Sequence, residues 1–230
     1  MYTSDRFAKV TFDTFKNESN TRPKLDFKLR EKVSHWSSAQ AQDYFVQTVL
    51  DGKKNGYYVE MGSKHPFYKN NTFVLEKIYG WSGLPIDWDI RYKKVWNGTR
   101  NDNVKVEDAT KLDYNKLVQI EVVDYLSADL ANENTLTAVK KFHEDGCVAR
   151  VITYDHDGVD YSHGSHVEES REYLQSKGYH LLITVNEGCE VEDWWVHPDH
   201  VDTDRLATMM EMFNPNPGSI FYEFFEPDGG

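Results

Sequence analysis

The hydrophobic pattern of the chain alternates between two periods. Short runs of aromatic and β-branched residues are typical of buried strands, whereas apolar residues spaced three or four positions apart indicate helices. The strand-like runs lie at residues 57–60, 82–89, 104–108, 122–130, 147–157, 180–185 and 191–197. Helical spacing is found at residues 36–50, 71–79, 111–120, 133–144, 167–177 and 202–213.

This order of elements predicts an α/β fold with a mostly parallel sheet, because strands joined through helices form βαβ units. Crossovers between parallel strands are right-handed, so the carboxyl ends of the strands gather at one edge of the sheet. We expect one domain at residues 36–214, preceded by an N-terminal extension at 1–35. Residues 215–230 are expected to form a tail that packs on the domain.

The composition narrows the classes of partner. A chain of 230 residues with a net charge of -12 has no broad basic surface for nucleic acid or an anionic membrane. No apolar run approaches the roughly 20 residues that a membrane span needs. The two cysteines, Cys147 and Cys189, have no metal-ligand spacing and fit a reducing compartment. We therefore expect a cytoplasmic protein that binds neither nucleic acid nor membrane.

Acidic residues follow successive predicted strands. They are Glu60, Asp87 with Asp89, Asp108, Asp129, and Asp155 with Asp157. Strand ends are often polar simply because they reach solvent. A series of acids on one edge, however, is tolerated mainly where hydrogen-bond donors or a cation compensate their repulsion. The pattern therefore predicts a ligand rich in hydroxyl and amino groups at that edge.

The turn after the first strand contains one glycine, Gly62, followed by Ser63. Glycine lets the backbone approach a ligand closely at the carboxyl edge of an α/β sheet. A dinucleotide-binding turn needs two further glycines, which this chain lacks. An NAD-type oxidoreductase is thus an alternative with the wrong glycine pattern.

Several segments together resemble the FkbM-type family of S-adenosylmethionine-dependent methyltransferases. The resemblance covers residues 37–198 and is carried by SSAQAQDYFV, YYVEMGSKHPFYKNNTFVLEK, GWSGLPIDWD, VEDATKLDY, VDYLSADLANENTL, VITYDHD, EESREYLQSKGYHLL and EDWWVHP. It implies a Rossmann-like class I methyltransferase fold, with seven strands, an antiparallel last strand and helices on both faces. It also implies methyl transfer to a hydroxyl of a glycan or glycoconjugate, for example on a deoxysugar such as rhamnose or fucose.

The resemblance also implies roles for individual residues in binding S-adenosylmethionine. Glu60 and Gly62 would hold the methionine portion, and Ser63 in the same turn would also bind the cofactor. Asp87 would bind the ribose. Asp108 and Ala109 would bind the adenine, which Trp88 could cover, although Trp88 could equally pack on the sheet.

Asp129, Asp155 and His156 are the predicted catalytic and metal-binding residues. Two carboxylates and an imidazole suit a divalent cation such as Mg²⁺, Mn²⁺ or Ca²⁺, which could lower the pKa of a sugar hydroxyl. His156 is either a third ligand or the proton acceptor. The following loop, with His163 and His166, could cap the acceptor pocket, form a metal site of a hydrolase, or be a solvated loop.

A non-catalytic cofactor-binding module is a further alternative, because Ser63 and Ala131 stand where many relatives have other residues. The chain could also be one domain of a larger glycan-assembly enzyme.

Overall fold

A seven-stranded sheet forms the centre of the protein. The computed structural model describes residues 36–131, 134–156, 165–187 and 190–213. Its strands are β1 (Tyr57–Met61), β2 (Ser82–Asp87), β3 (Lys105–Val106), β4 (Val122–Ala128), β5 (Val148–Asp155), β6 (His180–Glu187) and β7 (Glu190–Val196). The predicted extension and the predicted tail lie outside the described residues, so the domain boundaries stay predictions.

The strand order is β3-β2-β1-β4-β5-β7-β6. Neighbours from β3 to β5 pair in parallel, whereas β7 pairs antiparallel with both β5 and β6. The order reverses between β1 and β4, and in open α/β sheets ligands bind beside such a reversal. The predicted sheet, with its antiparallel last strand, is confirmed.

Helices cover both faces of the sheet. They are α1 (Gln42–Val49), α2 (Phe73–Tyr79), α3 (Ile90–Trp96), α4 (Tyr114–Leu117), α5 (Asn134–Glu144), α6 (Ser165–Ser176) and α7 (Thr203–Phe213). Alternating strand residues separate two cores: Tyr58 and Trp194 pack with α1, α2 and α7, while Val59 and Trp195 pack with α5 and α6. Both tryptophans are thus core residues, as expected for an aromatic pair inside a strand.

Two helices differ from the sequence-based expectation. The predicted helix at 111–120 is reduced to a 3-10 turn, Ala109–Lys111, and the four-residue α4. Asp113 begins α4 by accepting from the Lys116 amide, and the helix stops at Val118, which adopts extended geometry. Helix α3 was not predicted, because its exposed Ile90 and Val95 give no apolar stripe toward the core. Among the described residues, no helix has the length and apolar character required to cross a bilayer.

Candidate functional site

A cleft of about 630 Å³ opens at the carboxyl edge of β1, β2 and β4. Five of the seven residues predicted to bind the cofactor line it: Gly62, Asp87, Trp88, Asp108 and Ala109. The other lining residues are Lys64, Ile86, Asp89, Tyr92, Glu107, Thr110, Asp129, Leu130, Ala131 and Asn134. The cleft therefore lies where the acidic strand ends were expected to converge.

At Gly62 the cleft is lined by the backbone of the turn after β1. The φ of Gly62 is 80°, and its amide donates to the Ile86 carbonyl at 2.9 Å. A Cβ at this position would lie 1.9 Å from the carbonyl oxygen of Asp129. Only glycine fits here, because the turn after β1 is in direct contact with the residue that follows β4.

Asp87 joins the two loops that flank the cleft. Its carboxylate accepts from the backbone amides of Lys64 and Asp89, each at 2.8 Å. The side chain is buried at the end of β2 yet lines the cleft. Carboxylate oxygens have further lone pairs, so this group could also accept from a ligand hydroxyl.

Asp108 lies at the opposite end of the cleft and begins the 3-10 turn. It accepts from the Thr110 amide at 3.0 Å and from the Thr110 hydroxyl at 2.7 Å. A side-chain hydrogen bond from Lys111, followed by that from Thr110, lowers the pKa of Asp108 to about 2. The group is therefore an ionised acceptor across the physiological pH range.

Glu60 does not line the cleft. It is buried behind the turn, where its carboxylate accepts from the Thr72 hydroxyl at 2.9 Å and from the Asn70 amide at 3.1 Å. Burial raises the pKa of Glu60 to about 7, although the nearby Arg100 guanidinium acts in the opposite direction. Glu60 thus supports the 64–72 loop, and its role in binding the cofactor stays a prediction.

Ser63 is also outside the cleft lining. Its amide shares the Ile86 carbonyl with Gly62, at 2.9 Å, and its own carbonyl accepts from Asn70. The buried hydroxyl has no hydrogen-bond partner among the described residues. The contact of Ser63 with the cofactor stays a prediction.

The three residues predicted as metal ligands pair with different residues. Asp129 lines the cleft and forms an ion pair with Lys64 at 2.9 Å. The His156 imidazole lies 3.0 Å from Asp193, and Asp155 lies opposite Glu192 in the β5–β7 register. Neither Asp155 nor His156 lines the cleft.

The predicted divalent cation is not supported by these positions. Across the described ranges, no group of three or more histidine, cysteine, aspartate or glutamate side chains could hold a metal ion. Adjacent strand residues face opposite sides of a sheet, which explains why Asp155 and His156 meet different residues of β7. Asp157 and His163 lie outside the described residues, and His166 is an exposed residue of α6.

No protein-family model matches the sequence, and a search of curated proteins also finds no match. Solved structures do resemble it. A candidate rRNA methylase from Clostridium thermocellum superposes with a TM-score of 0.51 at 15% identity, covering 71% of this chain and 97% of that one. The fibrillarin/Nop5p complex contains a chain with a TM-score of 0.50 at 10% identity, covering 78% and 91%. The chain has the class I methyltransferase fold.

Beyond the β4 end, β5 and β7 follow in the sheet. There the structure reveals two residues that the sequence analysis missed, Glu192 and Asp193. Asp193 is buried and accepts from Arg171 at 2.7 and 2.9 Å, besides its contact with His156. The hydrogen bonds from Arg171 and His156 lower the pKa of Asp193, despite burial that acts in the opposite direction.

Glu192 faces the other side of β7. It accepts from the Gln42 side chain at 2.7 Å, and burial together with Asp155 and Asp129 raises its pKa well above the usual value. Two acids inside the aromatic run EDWWV are the sequence signal for both residues. Their alternation places one carboxyl against α1 and the other against α6.

Lys64 was also missed as a site residue. It follows Gly62 and Ser63 directly, so its position in the turn was available from the sequence. Its side chain is the only lysine or arginine in the lining of the cleft, as far as the described residues extend.

Proposed function

We propose that this protein is an S-adenosylmethionine-dependent methyltransferase. The observation that carries the proposal is the cleft beside the β1–β4 reversal, where Gly62 meets the Asp129 backbone and acids follow β2 and β3. A nucleoside with hydroxyl and amino donors complements such a lining. The class I methyltransferase fold agrees with this choice of cofactor.

Within the proposal, each end of the cleft binds a different part of the nucleoside. Asp87 accepts from the ribose hydroxyls, since its carboxylate is fixed by two backbone amides. Asp108 and Ala109 bind the adenine edge. Trp88, with 76% of its surface exposed at the rim, offers an aromatic face to the adenine ring.

We further propose that the acceptor is a sugar hydroxyl of a glycan or glycoconjugate, with deoxysugars such as rhamnose or fucose included in this class. The support for this step is the similarity of the sequence to FkbM-type methyltransferases. The reaction is an in-line displacement in which the acceptor oxygen bonds to the methyl carbon while the carbon–sulfur bond breaks. S-adenosylhomocysteine leaves, and the hydroxyl proton passes to a base.

His156 is the proposed base, because Asp193 can orient its imidazole from 3.0 Å. Alignment of the acceptor with the methyl group supplies several kcal/mol of the barrier reduction in reactions of this type. No step is assigned to a cation, since the predicted ligands do not form a common donor set among the described residues.

Calorimetric titration with S-adenosylhomocysteine and with NAD tests the cofactor. We expect saturable binding of S-adenosylhomocysteine and none of NAD. The reverse result would replace the methyltransferase with an NAD-type oxidoreductase.

The acceptor is tested by mass spectrometry after incubation with labelled cofactor and either an oligosaccharide panel or RNA. We expect label on a sugar hydroxyl. Transfer to RNA alone would overturn the glycan proposal. Cofactor binding with no transfer to a broad panel would instead favour a non-catalytic binding module.

A further inference from the structure

Acidic side chains greatly outnumber basic ones in the lining of the cleft. Five acids line it, namely Asp87, Asp89, Glu107, Asp108 and Asp129. Within the described part of the chain, the single basic side chain facing them is Lys64. Its ammonium lies 2.9 and 3.0 Å from the two carboxylate oxygens of Asp129. An anionic group of a ligand in this cleft would have Lys64 as its cationic partner.

The backbone of Lys64 is held in place on both sides. Its amide donates to Asp87 at 2.8 Å, and its carbonyl accepts from the indole of the fully buried Trp96 at 2.9 Å. Its φ of 47° lies in the left-handed region. Because the backbone is fixed, the reach of the ammonium is restricted to one end of the cleft.

Asp129 is equally constrained. Its amide donates to the Met61 carbonyl at 3.0 Å, and its own carbonyl lies against Gly62. The two charged side chains therefore project from rigid turns at the ends of adjacent strands. Their side chains are 58% and 28% exposed, so solvent screens the ion pair and a ligand can separate it at small cost.

We infer that Lys64 and Asp129 bind the zwitterionic amino-acid end of the cofactor. This inference rests on the proposed function. The cofactor carboxylate pairs with the Lys64 ammonium, and the cofactor ammonium pairs with the Asp129 carboxylate. Insertion of the zwitterion replaces one exposed ion pair with two, and both are more shielded from water once the cleft is filled.

This assignment differs from the sequence-based one in two ways. It gives the charged groups of the methionine portion to Lys64 and Asp129 instead of Glu60, which lies outside the lining. It also gives Asp129 a binding role in place of the predicted role as metal ligand. The nucleoside then extends from Asp129 past Asp87 to Asp108.

The test measures S-adenosylhomocysteine affinity by calorimetry for the wild type and for Lys64→Met. We expect a loss of about tenfold or more, because a charged hydrogen-bond donor to the carboxylate is removed. Lys64→Arg, which keeps the charge, should restore affinity to within a few fold. Lys69→Met is the matched control, since Lys69 belongs to the same loop but does not line the cleft.

A second ligand separates a binding role from a structural one. 5′-Methylthioadenosine lacks the amino-acid end, so Lys64→Met should bind it as the wild type does. Equal losses for both ligands, or unchanged S-adenosylhomocysteine affinity, would overturn the inference while leaving the proposed function intact. Failure of the wild type to bind S-adenosylhomocysteine would overturn both.

Discussion

Gly62 is subject to two independent constraints, one conformational and one steric. Its φ of 80° disfavours any L side chain, and its missing Cβ leaves room for the Asp129 carbonyl. The first constraint alone costs about 1–2 kcal/mol for alanine. The second adds a clash with backbone, which cannot rotate away as a side chain could.

We therefore expect Gly62→Ala to lower the free energy of unfolding by about 2–5 kcal/mol and to weaken S-adenosylhomocysteine binding. Gly98→Ala is the matched control, because Gly98 has the same φ of 80° and a Cβ added there would meet no described atom within 4 Å. Urea denaturation measures both variants. A loss for Gly62→Ala no larger than that for Gly98→Ala would show that the steric contact is unimportant.

Burial of Glu60 makes the stability of the folded protein depend on pH. Its pKa is about 7 in the folded protein against an ordinary value of 4.5, so the folded state retains a proton that the unfolded state releases. Its contribution to stability is therefore present below pH 4.5 and is lost as the pH rises through 7.

Urea denaturation at pH 5 and pH 8 tests this linkage by comparing the wild type with Glu60→Gln. The stability of the wild type relative to the variant should fall by roughly 2–3 kcal/mol between the two pH values. Glu107→Gln, the same substitution at an exposed side chain of the cleft lining, serves as the control. If the free energy of unfolding had the same pH dependence in the wild type and in Glu60→Gln, Glu60 would not carry the proton that we assign to it.

At the scale of elements, Asp87 connects the β1–α2 loop to the β2–α3 loop. We expect Asp87→Ala to remove the acceptor of two amides and to lower stability by about 2–4 kcal/mol. Affinity for S-adenosylhomocysteine should fall at least about tenfold by calorimetry. Asp113→Ala removes an exposed acceptor at the start of α4, away from the cleft, and should leave affinity unchanged. Equal affinities of the two variants for S-adenosylhomocysteine would show that Asp87 does not contribute to binding.

Strands β1 and β4 were predictable from the sequence because their aromatic and β-branched runs are buried on both faces. Gly62, Asp87 and Asp108 were predictable for a related reason, since parallel strands bring their ends to one edge. Glu60 was not, because its side chain points to the side on which the 64–72 loop folds back. That loop is fixed by tertiary contacts such as the Arg100–Asn70 hydrogen bond, at 3.0 Å, which joins residues far apart in sequence.

Helix α3 and the separation of the predicted metal ligands also depended on tertiary structure. Trp96 is the only buried residue among the seven of α3, and its indole donates a hydrogen bond to the Lys64 carbonyl. Because this contact joins residues far apart in sequence, the role of α3 could not be predicted from the hydrophobic pattern. Asp155 and His156 are adjacent in sequence but meet Glu192 and Asp193 on opposite faces of β7.

At the scale of the whole molecule, a buried cation holds the cleft side of the fold together. The Arg100 side chain is fully buried and pairs with Glu76 of α2 at 2.7 Å. Its guanidinium lies 4.6 Å from the centre of the Trp96 ring. Its remaining hydrogen bonds go to Pro66, Asn70, Tyr58 and Thr72. Arg100 thus joins β1, α2, α3 and the 64–72 loop, and it lies beside the buried Glu60.

We expect Arg100→Met to destabilise the protein by about 3–5 kcal/mol, because the buried Glu76 carboxylate loses its buried cationic partner and keeps only Lys77, at 2.9 Å, and the Asn101 amide. For a chain of this size, the melting temperature should fall by roughly 10 °C. The double variant Arg100→Met/Glu76→Gln removes both charges and should recover part of the loss. Arg91→Gln, which breaks an exposed ion pair with Asp89, is the control and should melt as the wild type does. If the double variant were less stable than Arg100→Met, the packing of the arginine stem, and not charge compensation, would be its main contribution, since removal of the second charge would then bring no relief.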